Sequence, residues 1–410
     1  MNTNLISDST WTKILQGKEN FEFESLCLKI LLSKLKLNTK LKPEDELHYL
    51  NELKLLVKVQ SVLPSMQRDI NRVISRLSTE SKKVLFKIEE AIPLIESGKN
   101  LLIAGDELLI KQLPQGNWIA GTIPYFAGND GGLTSQDLLF ITEVPNFIID
   151  TKIVEYTPDS ICNIYKDAYT NGFTVLIIPA SSDVHLTFAL NALNFEQFAN
   201  SPVIGWISGV MLNEIGIKAP KVAFGNRLQI SETSAVAMHI QLPDNYYAEA
   251  SIINIFEEGD GDTISFNDDG FTFTDVLING ISMNFAQYLS QNKIDTKLPL
   301  VSDNSGVSIN ISFQKVDIEN GTVELYAPVF RGRTYKIAKP LENYVKAYKN
   351  RMKDLDTNTI AFSFNCVLNY IYGEMEGEKL ENITCPITFG EIAYQLLNQT
   401  FAYLKIERYH

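Results

Sequence analysis

The residue of this sequence best suited to nucleophilic chemistry is Cys366. It follows the strand-like segment TIAFSFN and precedes VLNYIYGE, so it lies where a strand is expected to end. A cysteine at such a position attacks electrophiles when a neighbouring base or helix end lowers its pKa. No histidine is close to Cys366 in the sequence to supply that base. An enzyme that uses Cys366 on a small substrate is therefore one hypothesis among several.

A second group of reactive side chains lies in the segment IPASSDVH, which contains Ser181, Ser182, Asp183 and His185. These residues are too close in sequence to form an ordinary catalytic triad, and no G-x-S-x-G elbow is present. The four histidines of the chain are far apart in sequence, and none pairs with another at the i, i+4 spacing of a zinc helix. We predict no metal and no cofactor.

Three glycine-rich or acidic segments invite a ligand but lack the required order of residues. AGNDGG at 127–132 is not followed by the lysine of a phosphate-binding loop, and GWISGVMLNEIG at 205–216 is not G-x-G-x-x-G. The acidic run EEGDGDTISFNDDG at 257–270 lacks the order of a calcium loop. We interpret all three as turns, close backbone packing or solvated hairpins.

Composition indicates a globular protein that does not bind nucleic acid. The chain has 410 residues, 45% of them hydrophobic, and a net charge of −13, which disfavours a partner made of phosphates. No apolar run approaches the roughly 18–20 residues of a spanning helix, and no secretory signal is visible at the N-terminus. The cysteines show no framework spacing, which favours free thiols and a cytoplasmic location. They are Cys27, Cys162, Cys366 and Cys385.

The first 82 residues differ from the remainder. They carry 13 Lys/Arg and 10 Asp/Glu, a net charge of +3, in a chain whose total is −13. The segment MQRDINRVISRL has apolar residues on one helical face, so residues 1–82 are predicted to form a helical region. A small helical bundle and an element that docks a protein partner both fit this pattern.

From residue 83 onward the sequence alternates between helix-like and strand-like segments. QDLLFITEV, FTVLIIPASSDV and AVAMHIQL are predicted strands, and DSICNIYKDAYTNG is a predicted helix. FNDDGFTF and IENGTVEL are expected hairpin turns because Asp-Gly and Asn-Gly favour positive φ. We find no sequence repeat of 20–50 residues. The pattern predicts an α/β (α+β) fold of layered sheets and helices.

The segment CPITFGEIAYQLLNQT, residues 385–400, places polar side chains in an apolar run. If GEIAYQLLNQ is helical, Glu391 and Asn398 lie two turns apart on one face. In one interpretation Glu391 sits at the helix N-terminus and Asn398 caps its end. In the other, Glu391 lines a pocket together with Cys366 and Asn369.

The C-terminal segment CPITFGEIAYQLLNQTFAYLKI resembles the end of the FIST family, whose members pair a FIST N with a FIST C domain. The matching residues are Phe389, Gly390, Glu391, Ile392, Asn398 and Thr400. LPQGNWIAGTIPYF looks like the FIST N motif in which a small-residue turn follows a strand, with Gly121 and Thr122 in that turn. The resemblance covers residues 84–408. The Gly-Arg that often follows the family's cysteine is replaced here by Val367 and Leu368.

The resemblance implies a two-domain sheet-and-helix sandwich, with a FIST N-like domain at 83–245, a FIST C-like domain at 246–410 and the extra helical region 1–82. It also implies a non-enzymatic bacterial sensor that binds a small, amino acid-like ligand. A structural or assembly protein that has lost the pocket is the remaining alternative. The residues expected to bind the ligand are Gly121, Thr122, Cys366, Asn369, Gly390, Glu391 and Asn398.

Overall fold

The computed structural model describes residues 83–304, 307–352, 355, 357–379 and 383–409. Apart from Lys83, all of them belong to one compact unit, Val84–His410. The predicted helical region 1–82 lies outside the described residues.

The strands of the described residues fall into three successive groups along the chain. The first group is β1 Leu85–Phe86, β2 Leu101–Gly105, β3 Trp118–Thr122, β4 Tyr125–Gly128, β5 Gly131–Thr134 and β6 Leu139–Glu143. The second group is β7 Asp150–Tyr156, β8 Gly172–Pro179, β9 Val203–Ser208, β10 Val222–Phe224, β11 Gln229–Ser231 and β12 Ala235–Gln241.

The third group is longer because it contains an insertion. Its strands are β13 Tyr246–Ile253, β14 Ile264–Ser265, β15 Gly270–Phe273, β16 Asp275–Ile278, β17 Ile281–Asn284, β18 Leu300–Asn304, β19 Val307–Ile311, β20 Phe313–Asp317, β21 Thr322–Val329, β22 Thr334–Ile337, β23 Ile360–Cys366, β24 Cys385–Thr388, β25 Glu391–Ala393, β26 Gln395–Leu397 and β27 Phe401–Arg408.

The helices of the same residues are short. The α-helices are α1 Ile88–Glu96, α2 Glu107–Ile110, α3 Asp183–Asn191, α4 Phe285–Gln291, α5 Tyr344–Met352 and α6 Val367–Tyr372. Single 3₁₀ turns occur at Ile161–Asn163, Ala192–Asn194, Leu212–Glu214 and Thr357–Thr359.

Three of the sheets share one strand pattern. In each, two neighbouring strands run parallel and a helix connects them, giving the units β2–α2–β3, β8–α3–β9 and β23–α6–β24. An antiparallel strand flanks each unit on either side: β6 and β10 in the first sheet, β12 and β25 in the second, and β27 and β4 in the third. The fold therefore repeats a βαβ-centred sheet three times.

The three sheets exchange hairpins in a cycle. The hairpin β4–β5 of the first group pairs with β24 of the third, and β10–β11 of the second pairs with β3 of the first. The hairpin β25–β26 of the third group then pairs with β9 of the second. Each sheet is thus completed by another part of the chain, which explains why residues 84–410 form one compact unit.

One apolar core is shared by the inner faces of these three sheets. It includes Ile119 from β3, Val175 and Ile177 from β8, and Phe364 from β23. Alternate residues of β8, such as Leu176, point to a second core on the other face. Strands buried on both faces are expected where helices or other layers cover a parallel pair.

An insertion between β13 and β23 adds a further layer. It contains the six-stranded sheet β17–β16–β14–β22–β18–β19, the three-stranded sheet β15–β21–β20 and helices α4 and α5. Residues of this insertion, including Phe285 and Leu325, share the second core with Phe188 of α3. The insertion therefore packs against the outer face of the second sheet.

The predicted mixed α/β class is confirmed, as are strands at QDLLFITEV, FTVLIIP and AVAMHIQ and the hairpin turn in IENGTVEL. The predicted turn in FNDDGFTF is wrong, because β14 and β15 lie in different sheets. DSICNIYKDAYTNG forms only one 3₁₀ turn rather than a helix. The predicted boundary at 245/246 falls between the second and third groups, and two sheets contain strands from both sides of it.

The conditional helix at GEIAYQLLNQ is also wrong. The segment forms the hairpin β25–β26, in which Glu391 pairs with Leu397 and Ala393 with Gln395. Tyr394 makes the turn with φ of 61°. Pairing of β25 with β9 outweighs the local helix propensity, as tertiary context commonly does for short segments.

Candidate functional site

The carboxyl ends of the three parallel strand pairs meet at Gly209, just after β9. The backbone N–H of Gly209 donates to the carbonyl of Thr122, the last residue of β3, at 2.7 Å. The ring of Phe389, which follows β24, lies over Gly209, since a Cβ there would be 2.2 Å from its Cδ1. In open α/β sheets, ligands bind in the crevice outside the carboxyl ends of the strands. This end of the molecule is therefore the expected place for a ligand.

A large cleft opens where β8 and β9 end. Its volume is about 1110 Å³, slightly above the upper end of the usual range for small-molecule sites. One wall is the strand-to-helix segment that contains Ser182 and His185, and the other is formed by the insertion through Glu324 and Tyr326. Phe389 also lines the cleft, which thus borders the point where the three strand pairs meet.

Next to the cleft, Glu391 is buried with no exposed surface. It begins β25 opposite Trp206 of β9, and its Oε2 accepts hydrogen bonds from the Thr400 backbone N–H at 3.2 Å and hydroxyl at 2.7 Å. Its Oε1 has no partner among the described residues. Burial raises the pKa of Glu391 to about 8, although the bonds from Thr400 act in the opposite direction. The carboxyl is therefore mainly protonated at neutral pH.

Cys366 lies beside this carboxyl at the end of β23, where α6 begins. It is buried completely. Burial and the nearby Glu391 carboxylate both raise the pKa of the Cys366 thiol well above its ordinary value. Since a thiolate is the reactive form, this environment favours a protonated, unreactive thiol.

Asn369 and Asn365 hold the strand ends together. The Asn369 side-chain N–H₂ donates to Asn365 Oδ1 at 2.9 Å and to the Thr400 carbonyl at 3.0 Å, while its Oδ1 accepts from the Tyr344 hydroxyl. Asn365 Oδ1 also accepts from Tyr348 of α5 at 3.0 Å. Asn369 thus has its hydrogen bonds satisfied within the protein and acts as a brace between α6, the last strand and the insertion.

Gly390 and Asn398 complete the buried group. The carbonyl of Gly390 accepts from the Ile207 backbone N–H at 2.8 Å and from the Thr388 hydroxyl at 3.0 Å. Asn398 is 1% exposed, and its Oδ1 has no hydrogen-bond partner among the described residues. The C-terminal polar cluster consists of Asn365, Cys366, Asn369, Gly390, Glu391, Asn398 and Thr400.

The other two predicted site residues, Gly121 and Thr122, do not join this cluster. They end strand β3 instead of occupying a turn, which corrects the sequence-based expectation. Gly121 is required by close packing, since a Cβ there would lie 2.8 Å from Trp206 Nε1. Thr122 exchanges hydrogen bonds with the backbone of Lys221. Both residues therefore position the meeting point at Gly209 and do not line the cleft.

Two side chains connect the cleft with the C-terminal polar cluster. Phe389 lines the cleft and immediately precedes Gly390 and Glu391. Tyr326 also lines the cleft, and burial raises its pKa to about 12, with smaller contributions from Tyr372 and Cys366. A molecule in the cleft would therefore contact Phe389, which adjoins the cluster in sequence, and Tyr326, whose pKa Cys366 influences.

The cleft wall at Ser181, Ser182 and His185 comes from a segment whose sequence spacing excludes an ordinary triad. In the structure Ser182 caps α3 by accepting from the His185 backbone N–H at 3.2 Å. The His185 Nδ1 accepts from the Ser181 backbone N–H at 3.2 Å, and Ser181 has φ of 61°. The sequence could have indicated this cleft wall, because the segment directly follows the buried strand FTVLIIP. Ligands commonly bind outside the carboxyl ends of such strands.

Residues 86–407 match a protein-family model described as a family of unknown function (DUF6976). This range covers more than half of the chain, so the protein belongs to that family. No curated protein matches this chain. Among the described residues, no group of three or more His, Cys, Asp or Glu side chains is arranged to hold a metal ion. Within the same residues, no helix has the length and apolar character needed to cross a membrane.

Proposed function

We propose that this protein is a cytoplasmic, non-enzymatic sensor that binds a small molecule in the cleft at the ends of β8 and β9. The observation that carries the proposal is the cleft of about 1110 Å³ at the carboxyl ends of parallel strands, the usual position of ligand sites in such folds. Phe389 and Tyr326 would report the ligand to the C-terminal polar cluster, because Phe389 directly precedes Gly390 and the charge of Cys366 influences the pKa of Tyr326.

The buried environment of Cys366 supports a binding protein over an enzyme. Its thiol has no exposed surface and a raised pKa, and no described base lies beside it other than the mainly protonated Glu391. A nucleophilic cysteine needs the opposite environment, with a stabilised thiolate and an approach for substrate. The enzyme hypothesis based on Cys366 is therefore the weaker one.

The family assignment to FIST-like sensors remains part of the proposal. It is supported by the position of two residues that carry the resemblance, since Glu391 and Thr400 are hydrogen-bonded to each other beside Cys366. Transmission of a signal through residues 1–82 to a protein partner is proposed on sequence alone.

Native mass spectrometry of gently purified protein tests the binding function. We expect a bound metabolite in the wild type and its loss in Thr272→Trp, because Thr272 is an exposed cleft residue whose enlargement would fill the space. Ser282→Trp is the matched control, since Ser282 is exposed on β17 and does not line the cleft. A metabolite retained equally by both variants would rule out the cleft as the binding site.

A further inference from the structure

Strand β17 is an edge of the six-stranded sheet in the insertion. It pairs with β16 on one side, and no described strand pairs with its other side. Its sequence, ISMN, contains no charged residue and no proline, and its pairing with β16 contains no bulge. Edge strands are commonly protected by such features, as β7 is by Lys152 and Glu155. The outer side of β17 is therefore suited to pairing with another strand.

Two apolar side chains of β17 extend the core face of this sheet into solvent. Met283 lies opposite Val276, and Ile281 lies opposite Ile278, in the pairing with β16. Residues that lie opposite each other point to the same face, and both Val276 and Ile278 belong to the second core. However, Ile281 is 62% exposed and Met283 is 42% exposed. The apolar face of the sheet thus continues beyond the part that the described residues bury.

The backbone of Ser282 faces the open edge. Asn279 and Gly280 form a two-residue turn between β16 and β17, with φ of 48° and 82°. Ile278 and Ile281, which flank this turn, are therefore a hydrogen-bonded pair. Hydrogen-bonded and non-hydrogen-bonded pairs alternate along antiparallel strands. The next residue, Ser282, consequently directs its N–H and C=O away from β16.

Both ends of β17 are held in place by hydrogen bonds. The Asn279 backbone N–H donates to the Thr263 carbonyl at 2.8 Å, and the Asn279 Oδ1 accepts from the Thr263 N–H at 2.9 Å. At the other end, Asn284 Nδ2 donates to the Gly321 carbonyl at 2.9 Å. The Asn284 Oδ1 accepts from the Gln287 backbone N–H, also at 2.9 Å. A strand that is fixed in this way loses little conformational freedom when it pairs.

We propose that two copies of this chain associate through their β17 strands, which pair antiparallel about a two-fold axis at Ser282. The N–H and C=O of Ser282 in each copy exchange hydrogen bonds with those of the other copy. In this register Ile281 of one copy lies opposite Met283 of the other, and each covers its exposed counterpart.

A second copy is the partner that this edge fits, because the strand is complementary to itself. Its two exposed apolar residues lie one position before and one position after Ser282, so a two-fold axis at Ser282 brings each onto the other. The absence of charge on β17 also means that the strands bring no like charges together at the axis.

The pairing is short, so the association should be weak. A strand of four residues buries much less surface than a standard interface, and we expect a Kd on the order of 0.1 mM. Sedimentation velocity of the full chain measures the dimer at concentrations from roughly tenfold below this value to tenfold above it.

Ile281→Lys should weaken the dimer at least about tenfold, because it places a lysine on each edge strand beside the apolar contact. Ile217→Lys is the matched control, since Ile217 is an exposed isoleucine outside β17, and it should leave the Kd unchanged. A wild type that stays monomeric at the highest concentration would overturn the proposal. So would a dimer whose Kd is the same in Ile281→Lys as in the wild type.

Disulfide cross-linking tests the register of the two strands, in a full chain that carries Cys27→Ser and Cys162→Ser. Paired residues at the axis have Cα atoms about 5.5 Å apart, which suits a disulfide. Ser282→Cys should therefore give a covalent dimer when oxidised glutathione is added. Ile281→Cys alone and Met283→Cys alone should give little, because diagonal neighbours are about 7–8 Å apart.

An equal mixture of the Ile281→Cys and Met283→Cys proteins should again form a covalent dimer, since these two positions lie opposite each other. Failure of Ser282→Cys to cross-link would overturn the proposed pairing. Cross-linking of Ile281→Cys alone as readily as Ser282→Cys would also overturn it, because the strands would then have another register or no fixed one.

Discussion

Glu391 carries part of the resemblance to the FIST family and also lies in a fully buried polar region of the fold. Its carboxyl is held by Thr400 on one oxygen and unpartnered on the other among the described residues. The sequence placed it either at a helix end or in a pocket. The structure places it at the start of a buried strand and not at a helix end, and next to Cys366, while its place in a ligand pocket stays a prediction.

Glu391→Gln should change the pH dependence of stability. Folding raises the pKa of Glu391 from an ordinary 4.5 to about 8, so the folded state keeps a proton that the unfolded chain releases. The free energy of unfolding should therefore decrease as pH rises from about 4.5 to about 8, by on the order of 5 kcal/mol in all. The amide introduced by this substitution can still accept from Thr400 but cannot ionise.

Denaturant unfolding of both proteins from pH 4.5 to 9 measures this effect. The variant should match the wild type near pH 5 and exceed its stability near pH 9, with a smaller slope between. Parallel stability profiles for the two proteins would contradict the raised pKa of Glu391.

The cysteines should differ sharply in reactivity. Cys162 is exposed, whereas Cys366 and Cys385 are buried, with pKa values raised by burial. We expect iodoacetamide at neutral pH to label Cys162 within minutes and to label Cys366 and Cys385 only after unfolding. Peptide mapping by mass spectrometry identifies the labelled cysteines. The variant Cys162→Ser is the control, since it removes the exposed thiol. Fast labelling of Cys366 in the folded protein would revive the enzyme hypothesis.

At the residue scale the sequence found much of the cluster. Cys366, Asn369, Gly390, Glu391 and Asn398 were chosen from local patterns and from the FIST resemblance, and their role in ligand binding stays a prediction. The cleft residues Glu324 and Tyr326 could not be found in this way, because they reach the site through an insertion that is distant in sequence. Such contacts depend on how the strands are connected and paired, and the local hydrophobic periodicity of the sequence does not predict that pairing.

At the scale of elements, the meeting of three strand pairs at Gly209 is the feature that positions the site. The strands β8 and β23 were predictable, since buried strands read as continuous apolar runs, whereas the helices α3 and α6 were not predicted. The cyclic exchange of hairpins could not be predicted, because the sequence of a short strand does not specify which strand it pairs with. The same limit explains the incorrect helix at GEIAYQLLNQ, where β9 supplies the deciding contacts.

Gly209→Ala should disturb this meeting point. A Cβ at that position would lie 2.2 Å from the Phe389 ring, so the ring must move into the cleft or the strand ends must separate. We expect a loss of about 1–3 kcal/mol in the free energy of unfolding, as is common for overpacking. Chemical denaturation measures the loss. Gly261→Ala is the control, because no atom lies within 4 Å of its added Cβ. Equal stability of both variants would show that Phe389 is not fixed over Gly209.

For the molecule as a whole, residues 84–410 form a single compact unit in which every one of the three repeated sheets borrows a hairpin. The predicted division at 245/246 would separate strands that pair with one another, so each half alone would lose a hairpin from one of its sheets. The composition break near residue 82, by contrast, falls beside the start of this unit.

A fragment of residues 83–410 should therefore fold without the first 82 residues. We expect a single cooperative thermal transition with a Tm within about 5 °C of that of the full chain, since the core residues of the unit all lie inside the fragment. Circular dichroism and size-exclusion chromatography test this. As a control, residues 83–245 alone should fail to give such a transition. Aggregation of the longer fragment would show that residues 1–82 complete its core.

The most direct test of the central claim is a crystal structure of the protein with the metabolite that copurifies with it, or with a small molecule that raises its Tm. We predict electron density for the compound in the cleft, in contact with Phe389 and Tyr326, with the bonds between Glu391 and Thr400 preserved. Density at another surface, with the cleft unchanged at saturating concentration, would contradict the claim that the cleft is the binding site.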